Sequence, residues 1–444
     1  MLLLLLPRGA GAGPAPASDP LTRLLDPFDG RLVFDVQNRV RVELRENNVD
    51  FDSTSNAPTD DGWLLQRFRI GLRYRPVEWL TFYAQGQDSR EAFSDRVDIP
   101  GSYGADGDDA FDLRQAWVEI GGGACPFSVT LGRQALSYGD RRLIGTGDWT
   151  NLGRTFDAVK LRYAAARWAL DGFVATAVTF DRGSFNPSDL ANMTETGRNQ
   201  VFSGLYFTTT AIGPQTTDLY ALHLHEDWTG DCVPSPQGPS DFFTFGARVD
   251  SAEGALGGWD YNAEAAFQVG EARGLDLAAF AAHAEVGYTF AAPWKPRLMV
   301  EYNYASGDGD PADGEIGTFQ NLFHLNHLFF GNMDLFAWQN MQNAAAVVTL
   351  EPAAGWVLKC EYRLNGLADT ADYWYRASCA AARPISAGAD PFLGQEIDVT
   401  LTWKAGRHFT WQAGYSHFFA GSYLQQTGAH DDADFAYVQL NVVY

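Results

Sequence analysis

Period-two alternation runs through this chain from Arg31 to its last residue, Tyr444, and no other feature restricts its fold so severely. In RLVFDVQNRVRVELR, Leu32, Phe34, Val36, Val40, Val42 and Leu44 share one face, and Asp35, Gln37, Arg39, Arg41, Glu43 and Arg45 share the other. Successive side chains of a strand point to opposite faces, so this is one amphipathic strand of about fifteen residues, where about 5 to 6 is usual in soluble proteins. LLQRFRIGLRYR repeats the pattern, with Leu64, Phe68, Ile70, Leu72 and Tyr74 opposite Arg67, Arg69, Gly71, Arg73 and Arg75. WDYNAEAAFQV and QEIDVTLTWK do the same.

The connections between such stretches narrow the choice further. Strands are expected at roughly 31–46, 62–75, 78–88, 111–121, 127–137, 154–164, 166–180, 198–211, 217–227, 241–251, 258–270, 274–290, 295–305, 335–351, 355–366, 394–404, 407–420 and 434–444, which makes 18. Short linkers such as PV, AAPW and KAG alternate with linkers that are mostly long and rich in Asp, Gly and Pro, including 47–61, 89–110, 138–153, 306–334 and 367–393. An even strand count with short turns at one end and long loops at the other describes an all-β fold, a transmembrane antiparallel β-barrel with periplasmic turns and extracellular loops. In hydrocarbon every backbone N–H and C=O must be paired within the protein, and a closed barrel achieves this because it has no edge. Aromatics near the expected strand ends, Trp63, Trp79, Tyr163, Trp168, Trp259, Tyr288, Trp294, Trp356, Trp403 and Trp411, suit an interfacial girdle. The closing DFAYVQLNVVY is an amphipathic strand that resembles the signal read by outer-membrane assembly machinery.

Composition removes other classes. A chain with 46% hydrophobic and 14% aromatic residues is not disordered, and 45 glycines with 20 prolines suit many turns. Nowhere do 18 apolar residues run together, so no helical span is expected. MLLLLLPRGAGAGPAPAS reads as a truncated secretory signal over residues 1–17, with a disordered apolar tail as the alternative. Residues 18–30 then form an N-terminal periplasmic segment and 31–444 the barrel. Cys125, Cys232, Cys360 and Cys379 lack C-x-x-C spacing, which excludes a zinc or redox motif and leaves one disulfide, Cys232 with Cys379, open. His223 and His225 share a strand face and His324 and His327 a loop, neither pair with a third ligand nearby. No G-x-S-x-G, H-E-x-x-H or P-loop occurs, so neither an enzyme nor a cofactor is expected.

Against a formal net charge of -23, one stretch concentrates cations. GRQALSYGDRRLIGTGDWTNLGRTFDAVKLRY, residues 132–163, holds Arg133, Arg141, Arg142, Arg154, Lys160 and Arg162 among Asp140, Asp148 and Asp157. It resembles the alginate export family of outer-membrane porins, whose pattern is close to G-R-Q-x-L-x-Y-G-D-x-R-L-I-G-x-x-D-W-x-N-x-G-R-x-F-D. DLRQAWVEI just upstream and YNYASGDGDPADGEIGTFQNLFHLNHLFFGNMDLFAWQN, residues 302–340, are similar to the same family. The resemblance implies an 18-stranded barrel and an arginine-lined lumen that escorts an anionic uronate polymer.

The residues point the same way. Twenty-eight of the 32 basic residues are arginines, and 19 of the 32 lie at or before Arg162. A guanidinium stays charged and binds carboxylates bidentately, which suits a wall along which a polyanion slides. The expected pore-lining set is Arg67, Arg69, Arg73, Arg133, Arg141, Arg142, Arg154, Lys160 and Arg162, oriented by Asp140, Asp148 and Asp157. Parity places Lys160 and Arg162 inward, suggests a bulge near Ala158, and leaves Arg133 outward unless Gly132 marks a second bulge. The acidic external loops, ENNVDFDSTSNAPTDD among them, are expected to be solvated and to offer carboxylates to divalent cations at the lipopolysaccharide surface. Expected partners are outer-membrane lipid, the assembly machinery and an anionic polysaccharide, with no nucleic acid, for a monomer. A general or anion-selective uptake porin for small solutes, a plugged surface barrel and a soluble all-β protein are the competing readings.

Overall fold

The computed structural model describes residues 25–28, 30–55, 60–94, 107–180, 185–188, 199–227 and 238–444. The expected signal segment, most of residues 18–30, and Cys232 with its proposed bond lie outside them. Strands are β1 (Leu32–Glu46), β2 (Asp61–Val77), β3 (Leu80–Ala92), β4 (Asp109–Gly121), β5 (Phe127–Gln134), β6 (Phe156–Ala164), β7 (Trp168–Ala177), β8 (Gln200–Thr209) and β9 (Gln215–Glu226). They continue with β10 (Ser240–Ser251), β11 (Trp259–Ala272), β12 (Leu275–Thr289), β13 (Arg297–Ala305), β14 (Glu315–Ile316), β15 (Met341–Leu350), β16 (Trp356–Gly366), β17 (Phe392–Ala405), β18 (Phe409–Ala420) and β19 (Ala433–Val443). Except for the two-residue β14, which pairs in parallel with β12, each strand is antiparallel to its neighbours. β19 returns to β1, from Gln37 opposite Val443 to Glu46 opposite Asp434, so 18 strands close into a barrel without an edge.

The alternation in sequence becomes two surfaces. On β6 and β7, Val159, Leu161 and Val174 are exposed on the outer wall, as are Leu205, Phe243 and Phe267 further round. A hydrocarbon environment accounts for so large an apolar band, which a soluble monomer would not expose. Of the expected girdle, Trp79, Trp168, Trp259, Trp294, Trp403 and Trp411 are exposed at the short-turn end, whereas Trp63 is buried on the inward face of β2, on the parity of Leu65 and Arg67, and does not belong to it.

Three details differ from the sequence reading. The strand expected from 335 begins at Met341, because Leu335, Phe336, Ala337 and Trp338 are buried in a loop that packs inside the barrel. The bulge expected near Ala158 is absent: β5 and β6 keep one register from Phe127 opposite Tyr163 to Gln134 opposite Phe156. A register shift lies instead between β3 and β4, where Gln85 faces Gln115 and Gly86 faces Leu113, leaving Arg114 as the extra residue. One connection at the long-loop end is also very short. Arg273 (φ 55°) and Gly274 (φ 81°) turn β11 into β12, the doubly positive φ of a tight hairpin.

The core lies in the lumen. The loop over residues 135–155 and the loop over residues 306–340 both fold inward and meet in a parallel bridge between Ile144 and Phe323. Gly145 N–H donates to Phe323 O at 2.6 Å and Phe323 N–H to Leu143 O at 2.9 Å. Phe156, Phe202, Phe319 and Trp338 pack in the same cluster. Burying each large side chain contributes about 1.5–3 kcal/mol, which offsets the entropy of ordering two long loops.

Candidate pore constriction

The site begins with an unfavourable pairing. On the inward faces of β1 and β2, Arg39 stands directly opposite Arg67, with Arg41 and Arg69 beside them. Like charges across a strand pair repel, so the arrangement needs acceptors from elsewhere. The tip of the 135–155 loop supplies them. Arg39 donates to the carbonyls of Asp148 (2.7 Å), Trp149 (3.0 Å) and Thr150 (3.0 Å), and Arg67 to those of Asp148 (3.1 Å) and Thr150 (3.0 Å). Arg41 donates to Trp149 O at 2.8 Å while its guanidinium lies 3.7 Å from the Trp149 ring centre. On its other side that ring stacks with His327 at 3.5 Å and 9°.

One carboxylate serves three cations here. Asp148 Oδ1 is 2.9 Å from Arg69 and 3.7 Å from both Arg67 and Arg114. Burial acts to raise the Asp148 carboxyl, but Arg69, Arg114 and Arg67, with the Thr146 hydroxyl, hold it well below the usual carboxylate range. Asp148 thus gathers three guanidiniums around one carboxylate, and with Arg39 beside them this cluster carries more positive than negative charge.

The other expected residues divide by what they touch. Arg142 bonds Asp140 at 3.0 Å and His283 Nε2 at 2.9 Å, with the Phe329 ring 4.0 Å away. Burial raises Asp140, and Arg142, Arg248 and His283 together pull it below its ordinary value. Arg154 donates to Gly145 O and His324 O, tying the two inward loops together. These two arginines therefore hold the inward loops in place. Arg141 differs: at φ 80° it makes a bond from Nε to Asp140 O at 3.3 Å, and no described carboxylate lies within 4.0 Å of it. It borders a cavity of about 200 Å³ together with Arg39, Arg67, Lys359, Arg363 and Tyr437.

Lys160 and Arg162 keep the inward parity, Lys160 opposite Thr130 and Arg162 opposite Ser128. Arg162 pairs with Asp171 at 2.8 Å and is about half exposed. Arg73 lies on the inward face of β2 over the Tyr83 ring, toward the short-turn end. Arg133 and Asp157 are not brought to the constriction. They pair with each other at 2.9 Å on the parity of Leu131 and Val159, and Arg133 also donates to Leu113 O where β5 leaves the side of β4. That pair closes a seam in the wall, so the pore-lining expectation for Arg133 and the orienting expectation for Asp157 give way to a structural one.

Sequence reasoning passed over Arg39, Arg41, Arg114, Lys359 and Arg363 as site residues. Arg39 and Arg41 sat in plain view on the polar face of the first strand. Arg114 was hidden by the bulge that turns it inward. Acidic loop residues Asp310 and Asp313 turn their carboxylates onto the N–H groups of Ala312 and Glu315, which accounts for their pattern as loop turns.

Comparison with known proteins is consistent in fold. The model of the family described as alginate export matches residues 31–438. No curated protein sequence matches. Among solved structures, Pseudomonas aeruginosa OccK3 (OpdO) aligns at TM-score 0.61 and 12% identity, over 93% of this chain and 95% of that one. The outer membrane protein OpdK of Pseudomonas aeruginosa aligns at 0.60 and 12%, over 93% and 98%. A structure of OpdK with vanillate aligns at 0.59 and 11%, over 93% and 98%.

Proposed function

The chain belongs to the alginate export family, and from that premise we propose that it passes an anionic polysaccharide of the polyuronate type through the outer membrane along an arginine-lined lumen. It is a porin-like outer-membrane β-barrel and a transport channel rather than an enzyme. The observation that carries the cargo proposal is the positive surplus around Asp148, where three guanidiniums share its carboxylate and Arg39 donates to loop carbonyls and to the Asn151 side chain. Charged rings of this sign favour anions. Arg141, which borders the same cavity with no described carboxylate within 4.0 Å, is the cation best placed to take a uronate carboxylate there.

A second reading, an uptake porin for small carboxylates, is favoured by the two loops that fill the lumen and by the vanillate held by OpdK. Planar-bilayer recordings separate the two. A polyuronate conduit gives anion selectivity and a block by oligouronates that strengthens with chain length, weakened at least several-fold in Arg141→Ala. Equal block by monomeric and oligomeric uronates assigns the small-solute role, and cation selectivity overturns both.

A further inference from the structure

A second charged cluster borders the same lumenal cavity, separated from β1 by β18 and β19, and its excess has the opposite sign. Arg363 of β16 lies 2.5 Å from Glu301 of β13 and 3.9 Å from Asp398 of β17, and it also bonds Glu361. Lys359 takes the other oxygen of Glu361 at 2.6 Å. With Glu396, four carboxylates share two cations, so two negative charges are left over.

The surplus falls on Glu396 and Asp398. Both are buried, at 0% and 1% exposure, on the inward face of β17, where their side chains meet, and Ser416 of β18 stands directly opposite Asp398. Glu396 Oε1 accepts the Met333 N–H at 3.1 Å. Among the described residues, Glu396 Oε2, both Asp398 oxygens and the Ser416 hydroxyl complete no hydrogen bond of normal geometry. A buried charge requires a partner or a metal. One shared proton would join Glu396 to Asp398 and the Ser416 hydroxyl could serve the second Asp398 oxygen, but the surplus would then be only partly cancelled. A cation can be held by all of them.

The donors are all oxygen, which suits a hard cation that accepts carboxylates, hydroxyls and water in a flexible shell. We propose that Glu396, Asp398 and Ser416 form a binding site for a divalent cation of the calcium type. It is entered from the lumenal cavity, whose lining includes Gly331, Glu361 and Thr400. His283, Glu285 and Glu301 also gather within 4.8 Å of one another, but His283 Nε2 already receives Arg142 and Glu301 holds Arg363. Asp398 has only the distant Arg363, at 3.9 Å and already engaged by Glu301 and Glu361, and among the described residues no cation lies within 4.0 Å of Glu396. Once filled, the site cancels the surplus charge of this wall, so that a passing polyanion meets attraction at the first cluster and no repulsion at this one. The site itself is independent of the cargo.

Equilibrium dialysis of the full-length, detergent-purified barrel against radioactive calcium, after chelation, tests it. The expected result is that Asp398→Asn and Glu396→Gln each bind one calcium fewer than the parent protein, with heat-modifiable electrophoretic mobility showing that the barrel remains closed. Unchanged stoichiometry overturns the site. Should a variant fail to close, crystals of the parent protein soaked in terbium decide: an anomalous peak between Glu396 and Asp398 supports the site, and none there refutes it.

Discussion

On the β1–β4 wall one carboxylate, Asp148, is met by Arg67, Arg69 and Arg114, whereas on β13, β16 and β17 one guanidinium, Arg363, is met by Glu301, Glu361 and Asp398. The two clusters invert each other in charge and differ in how the surplus is accommodated. Surplus guanidiniums donate hydrogen bonds, and any loop offers carbonyls to receive them, as Asp148, Trp149 and Thr150 do for Arg39. Surplus carboxylates need donors, and the 306–340 loop supplies Glu396 with the Met333 N–H. An arginine-rich wall can therefore be completed by loop backbone, while an acid-rich wall calls for a proton or a cation. The clusters differ in their supports too. Asp148 is carried by a loop, but Arg363 and its three acids all sit on strands.

The largest effect is expected from Asp148→Asn. Removing the shared charge leaves three buried guanidiniums facing one another, a loss of about 3–5 kcal/mol in urea unfolding of the refolded barrel. Single-channel records should show a noisier, more anion-selective pore as the loop leaves the wall. A quiet channel of parental selectivity would mean that the loop carbonyls alone hold it. Arg363→Met comes next, at about 3 kcal/mol, and its reversal potential should move toward cations. A shift in the same direction as Asp148→Asn would break the inversion.

Acidification should produce the smallest and most graded change, in two separate windows. Burial first, and Arg154 second, push His324 down to about 4. The unfolded chain would take up that proton near pH 6.5, so the stability His324 lends to the 306–340 loop is present above that value and is lost as pH falls toward 4. Asp148 has a depressed carboxyl pKa, so its contribution persists down to about pH 4 and is lost only as pH falls further, through the folded value. Hydrogen exchange across the pH range should therefore loosen residues 306–340 before 135–155. The reverse order would contradict the assignment.

Much of this was legible in the residues and some was not. All 18 barrel strands were placed, because a period-two pattern over ten or more residues is hard to mistake. Asp148 was read as an orienting acid of the constriction and Arg67 and Arg69 as a neighbouring part of the wall; the structure brings all three into contact. Arg133 misled because a motif arginine beside Gly132 looks functional, while the gap it seals, between β4 and a β5 that ends at Gln134, is a matter of strand length. Glu396 and Asp398 were read as the polar face of an ordinary strand. Nothing in QEIDVTLTWK reports that their neighbours would be another acid, a serine and a loop with one N–H to give.

The sequence by itself determined the wall: the number of strands, their alternation of outward apolar and inward polar residues, and the end at which the loops gather. Side-chain direction along a strand is a local property of the backbone, so parity can be read without knowing the neighbours. The tertiary structure decided the lumen. Whether an inward arginine meets a carboxylate, a carbonyl or open space depends on where loops from elsewhere in the chain come to rest, as when Asp148 reaches Arg69 across 79 positions. Those contacts follow from closure of the barrel and from packing of the loop aromatics inside it, and each joins segments whose meeting no local pattern encodes.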